Sequence, residues 1–261
     1  METSGLIGAD DRRIALPGTL NLRDLGGYPA AGGGTVRWRT LLRSDALHRL
    51  DGAGRAALAR LGLRTVIDLR TDEEVRAAPT ALDHTGARTC HVPLFSDAAI
   101  RRLPPELAAI YRYMIDDCGP AIAEAVGRLC AGGALPGLIH CSAGKDRTGL
   151  VTALVLDAIG VPDEVIAADY AMSSAYLDPE AARAIRRVRA VSGVGRWLDL
   201  GALGSPPQVI ETALARIRAQ AGSGRGYLTR HGLPPSALDR LRAALVAFPA
   251  APAAPQPARG G

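Results

Sequence analysis

The sequence predicts an α/β protein with a largely parallel central sheet flanked by helices. Two observations carry that expectation. Short apolar runs of strand length, at 64–70, 87–92 and 135–140, alternate with longer segments whose apolar residues recur at helical spacing. One of these runs ends at Cys141, passes through a turn of small residues and enters an apolar helix pattern at once (Leu150, Val151, Leu154, Val155), giving strand, tight turn, helix.

Composition narrows the class. The chain has 261 residues, 48% hydrophobic and 22% charged, which suits a folded domain with ample core. Aromatic residues make up only 4%, so that core must be mostly Ala, Leu, Val and Ile. The net charge of +5 is spread along the chain; it fits an anionic substrate and does not call for nucleic acid. Four cysteines without a CxxC pair argue for free thiols in a reducing compartment. No leader-like stretch opens the chain and no run of about 18 apolar residues occurs, so the cytoplasm is the default expectation and no transmembrane segment is foreseen.

Taken in order, residues 1–13 read as a disordered lead, 14–248 as a single domain, and 249–261, rich in Ala and Pro, as a disordered tail. The segment from Asn21 to Tyr28 is turn-rich, and Arg23-Asp24 within it fits a solvated surface ion pair. Gly32-Gly33-Gly34 predicts a hairpin turn before short strands at 35–38 and 41–43. Helical spacing over 54–61 is closed by Gly62. The run 64–70 is a buried strand, Asp72-Glu73-Glu74 opens a short helix, and 87–92 is a strand stopped by Pro93. Residues 95–102 are polar and predict a loop. Helices follow at 105–115 and 121–129, then the central strand at 135–140 and a helix at 148–159 that Gly160-Val161-Pro162 ends. Asp163 caps a helix to about 171, and 179–191 is a basic helix with a solvated face. Amphipathic helices at 208–219 and 236–248 are separated by a linker, Gly222-Ser223-Gly224-Arg225-Gly226.

The turn after the central strand is where chemistry concentrates. A turn that opens a helix points backbone N–H groups at one spot, which suits a phosphate, and the same field favours a thiolate. Arg147, six residues past Cys141, means little alone in so arginine-rich a chain; Gly144 in the turn, Thr148 and the helix beyond give it weight. Six residues past Cys90, Cys118 and Cys130 stand Ser96, Glu124 and Pro136 instead. Lys145 is the only lysine in the sequence. Phosphoryl transfer needs a nucleophile in line, donors for the equatorial oxygens and a proton for the leaving group. Cys141 can be the nucleophile, the amides of Ser142, Ala143, Gly144 and Lys145 with the Arg147 fork can hold the oxygens, and Thr148 is close enough in sequence to hydrogen-bond the thiolate. No metal or cofactor is required. The nucleoside-triphosphate P-loop does not fit, because Ile139 stands at its first glycine and Asp146 follows the lysine.

His140-Cys141-Ser142-Ala143-Gly144-Lys145-Asp146-Arg147-Thr148-Gly149 resembles the signature of cysteine-dependent tyrosine phosphatases, in particular the bacterial branch whose loop carries Lys-Asp-Arg, that of the mycobacterial phosphatase B. Asn21-Leu22-Arg23-Asp24, Arg43-Ser44-Asp45, Val66-Ile67-Asp68-Leu69-Arg70, Asp169-Tyr170 and Gly226-Tyr227-Leu228 match that branch in the same order, so the resemblance spans about 14–248. It implies a tyrosine-phosphatase-like fold, a phosphocysteine intermediate, and phosphotyrosine proteins as substrates, with phosphoserine, phosphothreonine or phosphoinositides in some members. It also implies Asp146 as the proton donor, with Asp97 as an alternative acid, and a Lys145 that meets either a second phosphate or the reacting one. Some relatives are exported without a cleavable signal. Trp197-Leu198-Asp199 resembles the acid loop of larger tyrosine phosphatases, but there that loop precedes the cysteine. Rhodanese-like sulfur transfer and a non-catalytic phosphopeptide-binding module are the competing classes. Cys90, Cys118 and Cys130 are candidate redox partners for the loop thiol.

Overall fold

In the computed structural model the described residues are 12–103, 106–177 and 204–249. The basic helix expected over 179–191, Trp197-Leu198-Asp199, and nearly all of the lead and tail lie outside them.

The main sheet has five strands: β1 (Arg23–Asp24), β4 (Leu41–Ser44), β5 (Thr65–Asp68), β6 (Arg88–His91) and β7 (Gly137–His140). Their order is β1-β4-β7-β5-β6, and all pairings are parallel except that of β1 with β4. The apolar run before Cys141 thus becomes the middle strand, every residue of it buried. Register does the rest: Ser44 of β4 and Asp68 of β5 both pair with His140, so the chain leaves all three strands at one edge. Ligands of open parallel sheets bind at that edge. A smaller antiparallel sheet joins β2 (Pro29–Ala30), β3 (Gly34–Val36) and β8 (Val246–Ala247).

Helices cover the main sheet. Before β7 come α1 (Gly52–Arg60), α2 (Asp72–Ala77), α3 (Asp97–Arg102), α4 (Leu107–Asp117) and α5 (Gly119–Leu129). After it come α6 (Asp146–Ile159), α7 (Asp163–Tyr176), α8 (Pro207–Ala221), α9 (Gly224–Arg230) and α10 (Pro235–Leu245). Helix α6 is buried almost all round, packed by α5, α7, α8, α9 and α10. Its apolar residues on every face are what such a position demands. None of the helices, among the described residues, is long and apolar enough to cross a membrane.

Several local expectations are corrected. Residues 97–102 form a helix, not a loop, because the Ser96 side chain caps the amide of Ala99. The last helix stops at Leu245, and Val246–Ala247 pairs with β3 instead, a contact that local periodicity does not reveal. The glycine-rich linker becomes the first turn of α9, capped by Ser223 on the amide of Gly226. Arg12 and Arg13, assigned to the lead, are part of the folded body: Arg12 is buried against the Tyr28 and Trp38 rings and donates to Gly26 O, and Arg13 bridges to Arg23. Arg23 and Asp24 are not a surface pair either, since both are buried and each has other partners.

The middle strand should be the most sensitive part of the core. Ile139→Ala, at a fully buried position, is expected to lower unfolding free energy by about 2–5 kcal/mol in denaturant titration, with unchanged slope.

Candidate active site

The segment from Cys141 to Lys145 runs between the end of β7 and the first turn of α6. Its shape depends on Gly144, which has φ of +67° and lies against the backbone of β4. A Cβ there would run into the Ser44 carbonyl, so no other residue fits without moving the strand. The loop carbonyls are answered from behind. Ser142 O accepts from Ala46 N at 3.2 Å. Asn21 Nδ2 donates to Ala143 O at 3.0 Å and Gly144 O at 3.1 Å, and Arg43 Nη2 donates to Gly144 O at 2.8 Å and Lys145 O at 3.3 Å. In a trans peptide the N–H points opposite to the C=O. The amides that follow these carbonyls therefore face the other side of the loop, and those of Ala143 and Gly144 donate to no protein acceptor among the described residues.

Arg147, in the first turn of α6, is buried and aimed by Glu74 of α2. Nη1 and Nη2 donate to the two carboxylate oxygens at 2.6 and 2.8 Å, Nη1 also reaches Leu69 O at 3.3 Å, and the ring of Phe95 lies 5.7 Å away. Burial works against the guanidinium, but the charge and hydrogen bonds of Glu74 outweigh it and hold the pKa above its ordinary value. Glu74 also closes the capping box of α2 with Thr71 and accepts from the Ser142 hydroxyl. One carboxylate thus joins the loop after β5, the loop after β7 and the arginine. Sequence reasoning saw Glu74 only as a helix opener; the Thr71-x-x-Glu74 capping box was the one local sign that this side chain points back toward the strand ends.

Behind the cysteine, His140 is fully buried, with Nδ1 3.2 Å from Cys141 O and Nε2 3.6 Å from Asp68 Oδ2. Burial holds its pKa down. Asp68 forks onto Arg70, and although burial opposes its charge, His140 and Arg70 keep the carboxyl below its usual range. Thr148 is fully buried and its hydroxyl takes no partner among the described residues, so the expected bond to Cys141 is not made here.

Asp146, the first residue of α6, lies on the rim with its side chain 21% exposed. Tyr170 and Tyr111 hydroxyls approach its Oδ1 at 3.1 and 3.4 Å, and Lys145 Nζ stands 3.7 Å from Oδ2. Burial, then the charge of Asp146, pushes both phenols up, so they stay protonated donors. Lys145 Nζ also donates to Gly204 O at 3.1 Å, ahead of α8. Asp97 is placed differently. It accepts from Glu73 N at 3.1 Å and faces Arg76 at 3.5 Å, and none of its hydrogen bonds reaches the cysteine loop. Desolvation is outweighed there by the Thr71 and Glu73 hydrogen bonds and by Arg76 and Arg101, which keep the carboxyl ionised to lower pH than usual, the wrong direction for an acid.

The model of the family described as "Tyrosine phosphatase family" matches residues 14–247, nearly the whole of the folded chain. The chain belongs to the tyrosine phosphatase family. The triple specificity protein phosphatase PtpB of Mycobacterium tuberculosis is 33% identical, with 88% of this chain and 98% of that protein aligned. A tyrosine-protein phosphatase of Nostoc commune is 28% identical over 83% of this chain and 78% of its own. The crystal structure of P. aeruginosa TpbA with pTyr aligns with 70% of this chain and 93% of its own, at 21% identity and a TM-score of 0.35, too low to bear on the fold.

Two of the three other thiols in this phosphatase are poorly suited to answer Cys141. Cys118 and Cys130, at the C-terminal ends of α4 and α5, are buried, and burial pushes their thiols up to about 12 and about 11. Thiol–disulfide exchange needs the thiolate.

Two measurements check the site's construction. Glu74→Gln leaves the buried Arg147 without its counter-charge and is expected to cost about 3–5 kcal/mol of stability by denaturant titration, with loss of turnover. Asp68 and Asp169 both have depressed folded pKa values, so their stabilisation is fully present above the ordinary carboxyl value of 3.8 and is lost as pH falls through the lower folded values. The melting temperature should accordingly begin to fall below about pH 6.5, where the unfolded chain protonates a His140 that burial resists charging, and fall further below about pH 4.

Proposed function

We propose that this chain hydrolyses phosphate monoesters, aryl phosphates such as phosphotyrosine first, through a phosphocysteine intermediate at Cys141. The observation that carries this is the convergence of loop amides and the Glu74-held Arg147 beside a buried cysteine at the strand edge. In the first step the Cys141 thiolate attacks phosphorus, an S–P bond forms, the ester P–O bond breaks, and Asp146 gives its proton to the leaving oxygen. In the second, water attacks phosphorus, Asp146 takes a proton back, the S–P bond breaks, and inorganic phosphate leaves with the thiolate restored. Three equatorial oxygens are held throughout by the amides and by Arg147. Thr148 would meet the sulfur as it departs.

Asp146 suits the acid role better than Asp97 because it sits at the loop's rim, next to Arg147 in the first turn of α6, whereas the hydrogen bonds of Asp97 are to the chain around α2. The triple specificity for which the mycobacterial relative is named is a reason to look beyond phosphotyrosine here. Lys145 adds a positive charge next to the acid, where a second phosphate of a phosphoinositide would be stabilised.

Cys141→Ser and Arg147→Ala are expected to lower kcat on an aryl phosphate by at least about a hundredfold, with EDTA without effect on the parent. Near-parental turnover in either would overturn the assignment. Asp146→Asn should slow esters of weakly acidic alcohols far more than p-nitrophenyl phosphate and remove the falling limb of the pH–rate profile, while Asp97→Asn should change neither. Lys145→Ala should lose activity selectively on polyphosphorylated lipids if the second-phosphate role holds.

A further inference from the structure

Among the described residues, the side-chain donors that hold the carbonyls of Ala143, Gly144 and Lys145 trace back to a single carboxylate, Asp169 of α7. Arg43 reaches Gly144 O and Lys145 O with Nη2 while its Nη1 binds Asp169 Oδ2 at 2.5 Å. Asn21 reaches Ala143 O and Gly144 O with Nδ2 while its Oδ1 accepts from Arg23. Arg23 in turn binds Asp169 Oδ1 at 2.9 Å and the Asp169 carbonyl at 2.9 Å. Tyr28 adds a hydroxyl to Oδ1 at 3.1 Å. Arg23 and Arg43 are register partners on neighbouring strands, so two guanidinium groups lie side by side, both fully buried.

Such a pair is tolerable only with a negative charge between its members. Desolvation and then Arg23 push the Arg43 pKa down, and Asp169 is the charge that resists this. Burial raises the Asp169 pKa, but the two arginines more than reverse it, so the carboxylate stays ionised across the working range. Asp45 anchors the far end, accepting from Leu20 N at 2.9 Å and Asn21 N at 3.0 Å.

We propose that Asp169 is a positioning residue for catalysis: through Arg43, Arg23 and Asn21 it fixes the direction of the loop peptides and so aims their amides at the transferred phosphoryl group. Asp169 touches neither substrate nor nucleophile. Its contribution is to preorganisation, which matters most where charge on the equatorial oxygens changes between ground and transition states. This rests on the phosphatase reading, and the parent enzyme tests that reading first: without parental turnover on p-nitrophenyl phosphate the phosphatase reading itself fails.

Given parental turnover, the decisive variant is Asn21→Asp. It keeps size and an oxygen for Arg23, but replaces the amide nitrogen facing Ala143 O and Gly144 O with a second oxygen, reversing the interaction that holds the loop carbonyls. Asp169→Asn and Arg43→Lys probe the same chain further back. The readouts are the inhibition constant for vanadate, kcat, and the melting temperature. Asn21→Asp is expected to weaken vanadate inhibition and lower kcat by about tenfold or more, while remaining folded. Asp169→Asn should do the same, and Arg43→Lys, which keeps the charge but not the two-carbonyl reach, should weaken vanadate inhibition while holding a melting temperature closer to the parent's than Asp169→Asn does. If Asp169→Asn fails to fold, Asn21→Asp and Arg43→Lys decide. Folded variants with parental vanadate inhibition and kcat would overturn the proposal and leave Asp169 a purely structural ion-pair partner.

Discussion

A peptide loop can offer its amides to a ligand only if its carbonyls are satisfied elsewhere. That constraint organises this molecule. From Ser142 to Lys145 the turn has its carbonyls bound by Ala46, Asn21 and Arg43, groups supplied by β4, the residues just after it and the chain before β1. Parallel register brings β4, β7 and β5 to one edge, so the backing donors, the cysteine and Glu74 lie within reach of each other. Gly144 seats the loop on β4, and its positive φ lets the chain turn into α6.

Two buried carboxylates divide the labour. Glu74 holds Arg147 beside the cysteine loop, and Asp169 holds Arg43 and Arg23, which back the loop directly and through Asn21. The arginines consequently differ: Arg147, alone against a carboxylate, has its charge reinforced, whereas Arg43, crowded by Arg23, has its charge opposed. Arginine suits each position because its planar fork can serve a carboxylate and a carbonyl together. Tyr170, next to Asp169 on α7, donates instead to Asp146, so neighbouring residues of one helix serve the loop's backbone and the carboxylate at its rim.

Much of this was legible in the sequence because it is local. The strand, turn and helix around Cys141 are contiguous, and Cys141, Gly144, Asp146 and Arg147 fall at one site as their spacing implies. The parallel sheet followed from alternating apolar runs, and the structure bears it out. What was missed depends on distant partners. Glu74 looks like a helix-capping acid until β5 and β7 are paired. Arg23-Asp24 looks like a surface pair until α7 delivers Asp169. Val246 continues a helical pattern until β3 claims it. Helix α3 escaped for a different reason: a polar segment hides a short helix whose only mark is its Ser96 cap. The Asn21, Arg43 and Asp169 motifs were visible as a family resemblance, but their common purpose appears only when the carbonyls they bind are identified.

The most direct test of this account is the crystal structure of the protein with vanadate. The account predicts vanadium bonded to Cys141 Sγ, with its equatorial oxygens at hydrogen-bond distance from the amides of the Ser142 to Asp146 segment and from Arg147, and with Asn21 and Arg43 still on the loop carbonyls. Vanadate bound elsewhere, or a loop whose carbonyls rather than amides face the ion, would contradict it.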